Sequence, residues 1–280
     1  MNRCRNCISR CFLQKTQYPE NTGEIRSISQ DEINRVLAAG QIPEIRIKDI
    51  PEDGRPKIAV MLNREKHPDR ELKDYSMPIG CIRAVVLSGG YPVFLSFEKI
   101  GEQLENIKPD GIFLTGGDFA LPKEWLEAEP AHAEDICRRD AYVTALNYAK
   151  DNRLPLLGIC AGMQMLAGFC GAKIKQVTGH RGQLDYAHEM KISQDSLLGT
   201  IAKADSVWVN SNHSEAVSPE NTGNCKITAL APDGVVEAIE PRVPWNGFVL
   251  GIQSHPERFV DKEDVFASDL FKTFIKACQK

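Results

Sequence analysis

Cys160 lies in the run LPLLGICAGMQMLAG, where an apolar stretch enters Gly158-Ile159-Cys160-Ala161-Gly162 and leaves with helical spacing. A strand-to-helix turn this tight needs small residues two positions before and two after its apex, because the backbone doubles back on itself. Gly158 and Gly162 meet that need. A cysteine at the apex is then a nucleophile: the start of the following helix places its sulfur at the positive end of the helix dipole, which favours the thiolate. The next backbone N–H, from Ala161, points at the oxyanion that forms on an attacked carbonyl. A cysteine in a Gly-rich turn is ordinarily a small core residue. Cys81, Cys137, Cys170 and Cys225 are read that way, and the paired glycines set Cys160 apart.

Such a thiolate needs a base to manage the proton of a leaving group, and the base needs a third group to fix its tautomer. GIQSHPE supplies both as His255 and Glu257, expected at a strand end where the period of two sends both side chains to one side. H-P-E alone is a common surface turn. Its weight comes from the order Cys, His, Glu along the chain, which is one of the allowed triad orders. A third element, DGIFLTGGDFALP, reads as a buried strand ending in Gly116-Gly117. Those glycines form either a plain turn or a second oxyanion donor through Gly117 N–H, with Gly116 beside the substrate.

Other polar residues give weaker signals. His213, in VNSNHSEAV, either is a structural histidine or lines the site near the leaving group. His180 and Arg181 fall in VTGHRGQLDYAHEM, expected as a loop over the pocket. Arg181 there reads first as a solvated charge and second as a contact for a substrate carboxylate. Arg138-Arg139-Asp140 is expected to be a solvated helix face with local ion pairs. Cys4, Cys7 and Cys11 make CxxCxxxC, but structural zinc takes four ligands and no fourth lies near, so an N-terminus open to oxidation is the expectation.

The elements that must position these groups follow from pattern. From Pro56 onward short β-branched runs alternate with amphipathic stretches, which predicts a doubly wound α/β domain: a mostly parallel sheet with helices on both faces and the site at the carboxyl ends of central strands. Strands are expected at 58–62, 111–115 and 154–159, with Tyr142, Leu146 and Ala149 marking a crossover helix between the last two. Runs near 207–210, 226–230, 235–239 and 248–253 should extend the sheet in antiparallel or mixed fashion. The chain should end in an apolar helix through Val265, Leu270, Phe271 and Phe274. Residues 1–55 read as an extension with one short helix, capped by Ser29 and Glu32 and ending near Gly40, and a Pro-rich linker; residues 56–280 form the catalytic domain.

The 280 residues hold 42% apolar and 26% charged side chains, an ordinary globular balance. A net charge of −4 without a basic cluster excludes a nucleic-acid partner. No apolar run reaches about 20 residues, so no membrane span is expected, and the start lacks a signal-peptide core. Nine cysteines without disulfide spacing suit a reducing compartment, and a cytoplasmic location is expected.

Taken together, G-I-C-A-G-M-Q, T-G-G-D, V-N-S-N-H and H-P-E at these separations resemble class I glutamine amidotransferase domains. The closer likeness is to the gamma-glutamyl hydrolase and gamma-glutamyl-gamma-aminobutyrate hydrolase branch, and it spans residues 56–280. The resemblance implies a small-molecule gamma-glutamyl substrate, cleavage through a glutamyl-thioester on Cys160, Gln164 near the substrate, and no metal or cofactor. It also favours the functional reading of His213. Three positions depart from the branch: Ala161 where the aminobutyrate hydrolases usually carry Arg, Ser254 where a bulky aromatic is usual, and Ser214-Glu215 where a second His and a Gln are common. The triad survives them; leaving-group specificity does not follow. Two rivals remain: a glutaminase subunit feeding ammonia to a separate synthetase, and a non-catalytic binding protein of the same fold.

Overall fold

The computed structural model describes residues 54–66, 73–262 and 264–279. The short helix and nearly all of the linker expected in residues 1–55 lie outside the described residues.

Strands β1 (Lys57–Met61), β4 (Tyr91–Leu95), β5 (Gly111–Leu114), β6 (Leu156–Ile159) and β13 (Val249–Ile252) form a parallel group in the order β4-β1-β5-β6-β13. Four strands continue the sheet antiparallel in the order β12 (Val236–Pro241), β11 (Cys225–Leu230), β8 (Gln183–Ile192) and β9 (Ser206–Ser211). Two hairpin-like pairs stand apart, β2 (Asn63–Lys66) with β3 (Lys73–Ser76) and β7 (Ile174–Gln176) with β10 (Glu215–Val217). The parallel strands read as continuous apolar runs because helices cover both faces. In β1, Ala59 and Met61 face one core while Ile58 and Val60 face the other, as the two-residue period requires.

The first core is closed by helices α2 (Ile100–Ile107), α3 (Ile136–Asp151) and α4 (Ala161–Phe169). The second is closed by α1 (Ile79–Leu87), α5 (Leu197–Ala202) and α6 (Val265–Ala277). The expected doubly wound architecture is therefore the observed one, and Tyr142, Leu146 and Ala149 are the buried stripe of the crossover helix α3. None of the described helices is long and apolar enough to cross a membrane.

Several expectations require correction. His180 and Arg181 lie in a loop, as expected, but the rest of that segment belongs to a ten-residue strand, Gln183–Ile192. It lies towards the edge of the sheet, where one face meets solvent and polar residues carry no penalty. In α6, Leu270, Phe271 and Phe274 are buried, whereas Val265 opens the helix at 74% exposure. Cys137 is exposed on α3, unlike Cys81 and Cys225, and all six described cysteines are free. Arg138 is not on a solvated face: only 3% of its surface is exposed.

Candidate active site

Cys160 follows β6 directly and caps α4 with φ +52° and ψ −112°. A non-glycine residue at such angles costs on the order of 1–3 kcal/mol and persists only where its surroundings over-determine it. Here they do. Cys160 N–H donates to the Ile252 carbonyl of β13 at 2.8 Å, and the Cys160 carbonyl accepts from Gln164 N–H at 3.0 Å. A Cβ on Gly158 would lie 2.6 Å from the Gly162 carbonyl oxygen, and one on Gly162 would collide with the carbonyl of Leu114. The two glycines let the elbow close, as the sequence predicts.

β6 and β13 are sheet neighbours with Ile159 opposite Ile252, which brings the chain beyond β13 next to the elbow. His255 Nδ1 donates to Glu257 Oε1 at 2.7 Å, both residues being buried. They share a side for a different reason than a strand period. β13 ends at Ile252, and Glu257 belongs to a 3-10 turn, Pro256–Arg258, that curls its carboxylate back to the imidazole. Burial pulls the His255 imidazole towards neutrality, but the charges of Glu257 and of the Cys160 thiolate, each accepting a hydrogen bond from the ring, outweigh it and hold the pKa up at about 10.

Two supports of the base escaped the sequence reading. Asn210 on β9 clamps His255 through its backbone, donating Nδ2–H to the carbonyl at 2.9 Å and accepting from the N–H at 2.7 Å. Gly80 in α1 lies so close to the Glu257 carbonyl that a Cβ would sit 2.7 Å away. A buried Asn within a strand is a departure from β preference, and that departure was the available signal for Asn210.

Gly116 and Gly117 extend β5 beside the elbow. A Cβ on Gly116 would lie 2.8 Å from His255 Cε1 and 3.1 Å from Cys160 Cβ, leaving room for hydrogen only. Gly117 has φ +145°, and a side chain there would strike the Arg138 guanidinium. Arg138 Nη2 donates to the Gly116 carbonyl at 2.7 Å and to Asn63 Oδ1 at 2.6 Å, with its guanidinium 4.4 Å from the Phe119 ring centre. The preceding carbonyl, of Thr115, accepts from Tyr142 Oη at 2.9 Å. Arg138 lies four residues before Tyr142 on the stripe shared by Leu146 and Ala149, a spacing that already placed it on the buried face.

A cleft of about 480 Å³ opens over Cys160 and His255, walled by Gly116, Gly117, Asn63 and Asn212. Arg83, Arg258 and Lys262 bring positive charge to its lining. The remaining sequence candidates lie elsewhere. Gln164 is buried beneath the elbow, donating to the Glu215 carbonyl at 2.6 Å and to Gln253 Oε1 at 3.2 Å. Arg181 is half-exposed and bound to Asp118 Oδ2 at 2.7 Å and Ser214 Oγ at 3.1 Å; Asp118 itself lines the cleft. His213 is buried and turned to Glu237, with its Nε2 3.7 Å from Oε1.

This fold is that of class I glutamine amidotransferase-like domains, and a glutamine amidotransferase from Thermotoga maritima superimposes with a TM-score of 0.52 at 15% identity, over 80% of this chain and 96% of that one. The Peptidase C26 family model matches residues 56–257, and the chain belongs to that family. The gamma-glutamyl-gamma-aminobutyrate hydrolase PuuD of Escherichia coli K12 is 29% identical over 250 residues, covering 80% of this chain and 94% of PuuD. The carbamoyl phosphate synthase small chain of Aquifex aeolicus is 24% identical over 276 residues, covering 92% of this chain and 65% of the relative.

Proposed function

We propose that this chain is a cysteine hydrolase that cleaves gamma-glutamyl amide bonds of a small-molecule substrate. The observation that carries the reading is the His255–Glu257 pair at 2.7 Å, set beside a thiol held at positive φ on its elbow. The Cys160 thiolate attacks the amide carbon, and the carbonyl electron pair moves onto oxygen. A trans peptide places its C=O and N–H on opposite sides, so Arg138, by holding the Gly116 carbonyl, turns Gly117 N–H the other way, towards that oxyanion. Ala161 N–H at the start of α4 is the second donor. The tetrahedral intermediate collapses, the C–N bond breaks, and the His255 imidazolium gives its proton to the leaving amine. Neutral His255 then takes a proton from water, whose oxygen attacks the thioester. The C–S bond breaks, glutamate leaves, and the thiolate is restored.

Gly116 acts by its smallness, keeping the space between nucleophile and base clear for substrate. Gln164 supports the site from beneath, through the Glu215 carbonyl. For the substrate's α-carboxylate, Arg258 in the cleft lining is better placed than Arg181, which is engaged by Asp118, or Arg83, which is paired with Asp261 at 2.6 Å. The six free cysteines among the described residues and the thiolate chemistry fit a cytoplasm, where thiols stay reduced.

A glutaminase feeding a separate synthetase is the second reading, favoured by the likeness to the carbamoyl phosphate synthase small chain. Release of glutamate by the purified chain alone, from glutamine and from a panel of gamma-glutamyl amines, separates the two. A hydrolase turns over at least one amine larger than ammonia without a partner. Inactivity on the whole panel, relieved for glutamine by a synthetase, overturns the proposal.

A further inference from the structure

Behind the β9–β10 turn, three imidazoles converge on one carboxylate that the proposed chemistry does not use. Glu237 on β12 has no exposed surface, and neither of its oxygens has a hydrogen-bond partner. Its Oε1 lies 3.2 Å from His188 Nε2, 3.7 Å from His180 Nδ1 and 3.7 Å from His213 Nε2. His180 and His213 are buried, and His188 on β8 is nearly so, with 14% of its side chain exposed.

Hydrogen bonding on the far side of two rings fixes which nitrogen carries the proton. His213 Nδ1 lies 3.0 Å from the Glu215 carbonyl, which can only accept, so Nδ1–H donates and Nε2 turns a lone pair to Glu237. His180 Nε2 lies 3.0 Å from Asp233 Oδ2, so Nε2–H donates to the carboxylate and the neutral ring has its lone pair on Nδ1. The Ser211 hydroxyl lies 3.0 Å from both that Nδ1 and the His180 carbonyl; its one proton can satisfy either, and ligation through Nδ1 requires that it turn to the carbonyl. Backbone-carbonyl and carboxylate partners of this kind orient histidines for metal ligation.

Neutral His180 and His213 would then aim lone pairs at a buried carboxylate, which is repulsive and leaves only His188 Nε2, 3.2 Å away, to face it as a donor. Doubly protonated rings fare no better, because the His180 ring centre is 4.8 Å from that of His213 and 5.2 Å from that of His188. Imidazolium charges would be stacked in a buried space. A single divalent cation removes both conflicts. Zinc bonds of about 2.0–2.1 Å in a tetrahedron put donor atoms about 3.3 Å apart, close to the 3.2–3.7 Å spacings around Oε1. The donor atoms of His180, His188 and Glu237 all lie within 4.8 Å of one another, a spread that small side-chain rotations close.

We infer that His180, His188 and Glu237 form the core of a structural site for a divalent transition metal, which His213, its Nε2 3.7 Å from Glu237 Oε1 but outside that close-set group, completes by turning in as the fourth ligand; zinc is the best match to three imidazoles and one carboxylate. The ion fastens β8, the turn that precedes it and the turn that follows β9 to β12. Through His180 and His213 it steadies their neighbours Arg181 and Asn212, the first bound to cleft-lining Asp118 and the second part of the cleft wall. The thiol chemistry passes through none of these four residues.

The test is metal analysis of the full, untagged chain purified from zinc-supplemented cells. The expected result is about one zinc per chain, and on the order of a 5 °C fall in melting temperature after chelation, restored by zinc. After chelation, cobalt should give the visible bands of a tetrahedral site with no thiolate charge-transfer band in the near ultraviolet. His188→Asn, chosen because His188 is the most exposed ligand, should drop the stoichiometry at least about tenfold, and Glu237→Gln likewise. A Cys4→Ser, Cys7→Ser, Cys11→Ser variant should keep its zinc. Wild-type chain that carries no metal and takes up neither zinc nor cobalt overturns the site. So does full stoichiometry in folded His188→Asn, or loss of the metal in the triple serine variant.

Discussion

Arg138→Met tests the oxyanion geometry without touching a reacting atom. The guanidinium is 3% exposed and holds the Gly116 carbonyl at 2.7 Å; methionine keeps much of its apolar stem and donates nothing. Hydrogen bonds from charged donors contribute about 1.5–3 kcal/mol, the bias that keeps the Gly116–Gly117 peptide in one orientation. At about 1.4 kcal/mol per tenfold, losing that bias lowers kcat by about 10- to 150-fold. The ceiling is complete loss of one oxyanion donor, about 2.7–4 kcal/mol. KM should change little, because the donor acts on the charged intermediate. Stability also falls, by about 2–4 kcal/mol, since Gly116 and Asn63 lose a buried partner. Rates are therefore normalised to folded sites counted by alkylation of Cys160. Alkylation itself develops no oxyanion, and its rate per folded molecule should be unchanged. Arg138→Lys, with charge but no planar fork, should recover part of kcat. A folded Arg138→Met enzyme with wild-type kcat, or with alkylation slowed as much as turnover, refutes the reasoning.

Cys160→Ala should end turnover while the fold remains, and NMR should show His255 giving up its proton at lower pH, because the thiolate is one of the charges that raises it. The His255 pKa is held above its ordinary value, so the contribution of its charge pairing to stability is fully present below about pH 6.5 and lost as pH rises through about 10. The basic limb of kcat should follow it; Glu257→Gln should move that limb down by about 1–3 units and cost less activity than His255→Ala, whereas an unmoved limb would mean that Glu257 does not set the proton affinity. Asn210→Ala strips the buried His255 N–H and C=O of their partners; unfolding by denaturant should register a loss of about 2–4 kcal/mol, and a smaller loss would show that water reaches those groups.

The elbow was legible because its requirement is local: Gly158 and Gly162 are needed wherever a strand reverses into a helix around Cys160, and the collision of any larger side chain at Gly158 or Gly162 is what the structure shows. The helix α3 was legible from the spacing of Tyr142, Leu146 and Ala149. Arg138 lay on the same stripe but was assigned to solvent by its charge, since a sequence does not display the carbonyl and aromatic rings that make burial of a guanidinium tolerable. His255 and Glu257 were identified for their chemistry and given the wrong local geometry, because a Pro-initiated 3-10 turn and a strand end deliver the same juxtaposition. β8 was missed because strands near a sheet edge need no alternating apolar pattern. The meeting of His180, His188, His213 and Glu237 depends on strand order, which pairs distant segments and leaves no mark in any one of them.

The order of the parallel strands bears on how the protein comes into being. β13 is the last described strand in chain order, yet it sits in the middle of the sheet, between β6 and β12, and the Cys160 N–H closes onto its Ile252 carbonyl. Until that strand is synthesised and inserted, the sheet is split, two strand edges are open, and Cys160 has neither its backbone anchor nor His255 beside it. Non-local pairing of this kind is slow to form and leaves surface exposed meanwhile. A nascent or C-terminally truncated chain thus carries the cysteine without the device that arms it. Acquisition of reactivity coincides with completion of the fold, which makes Cys160 labelling a clock for the final step of folding.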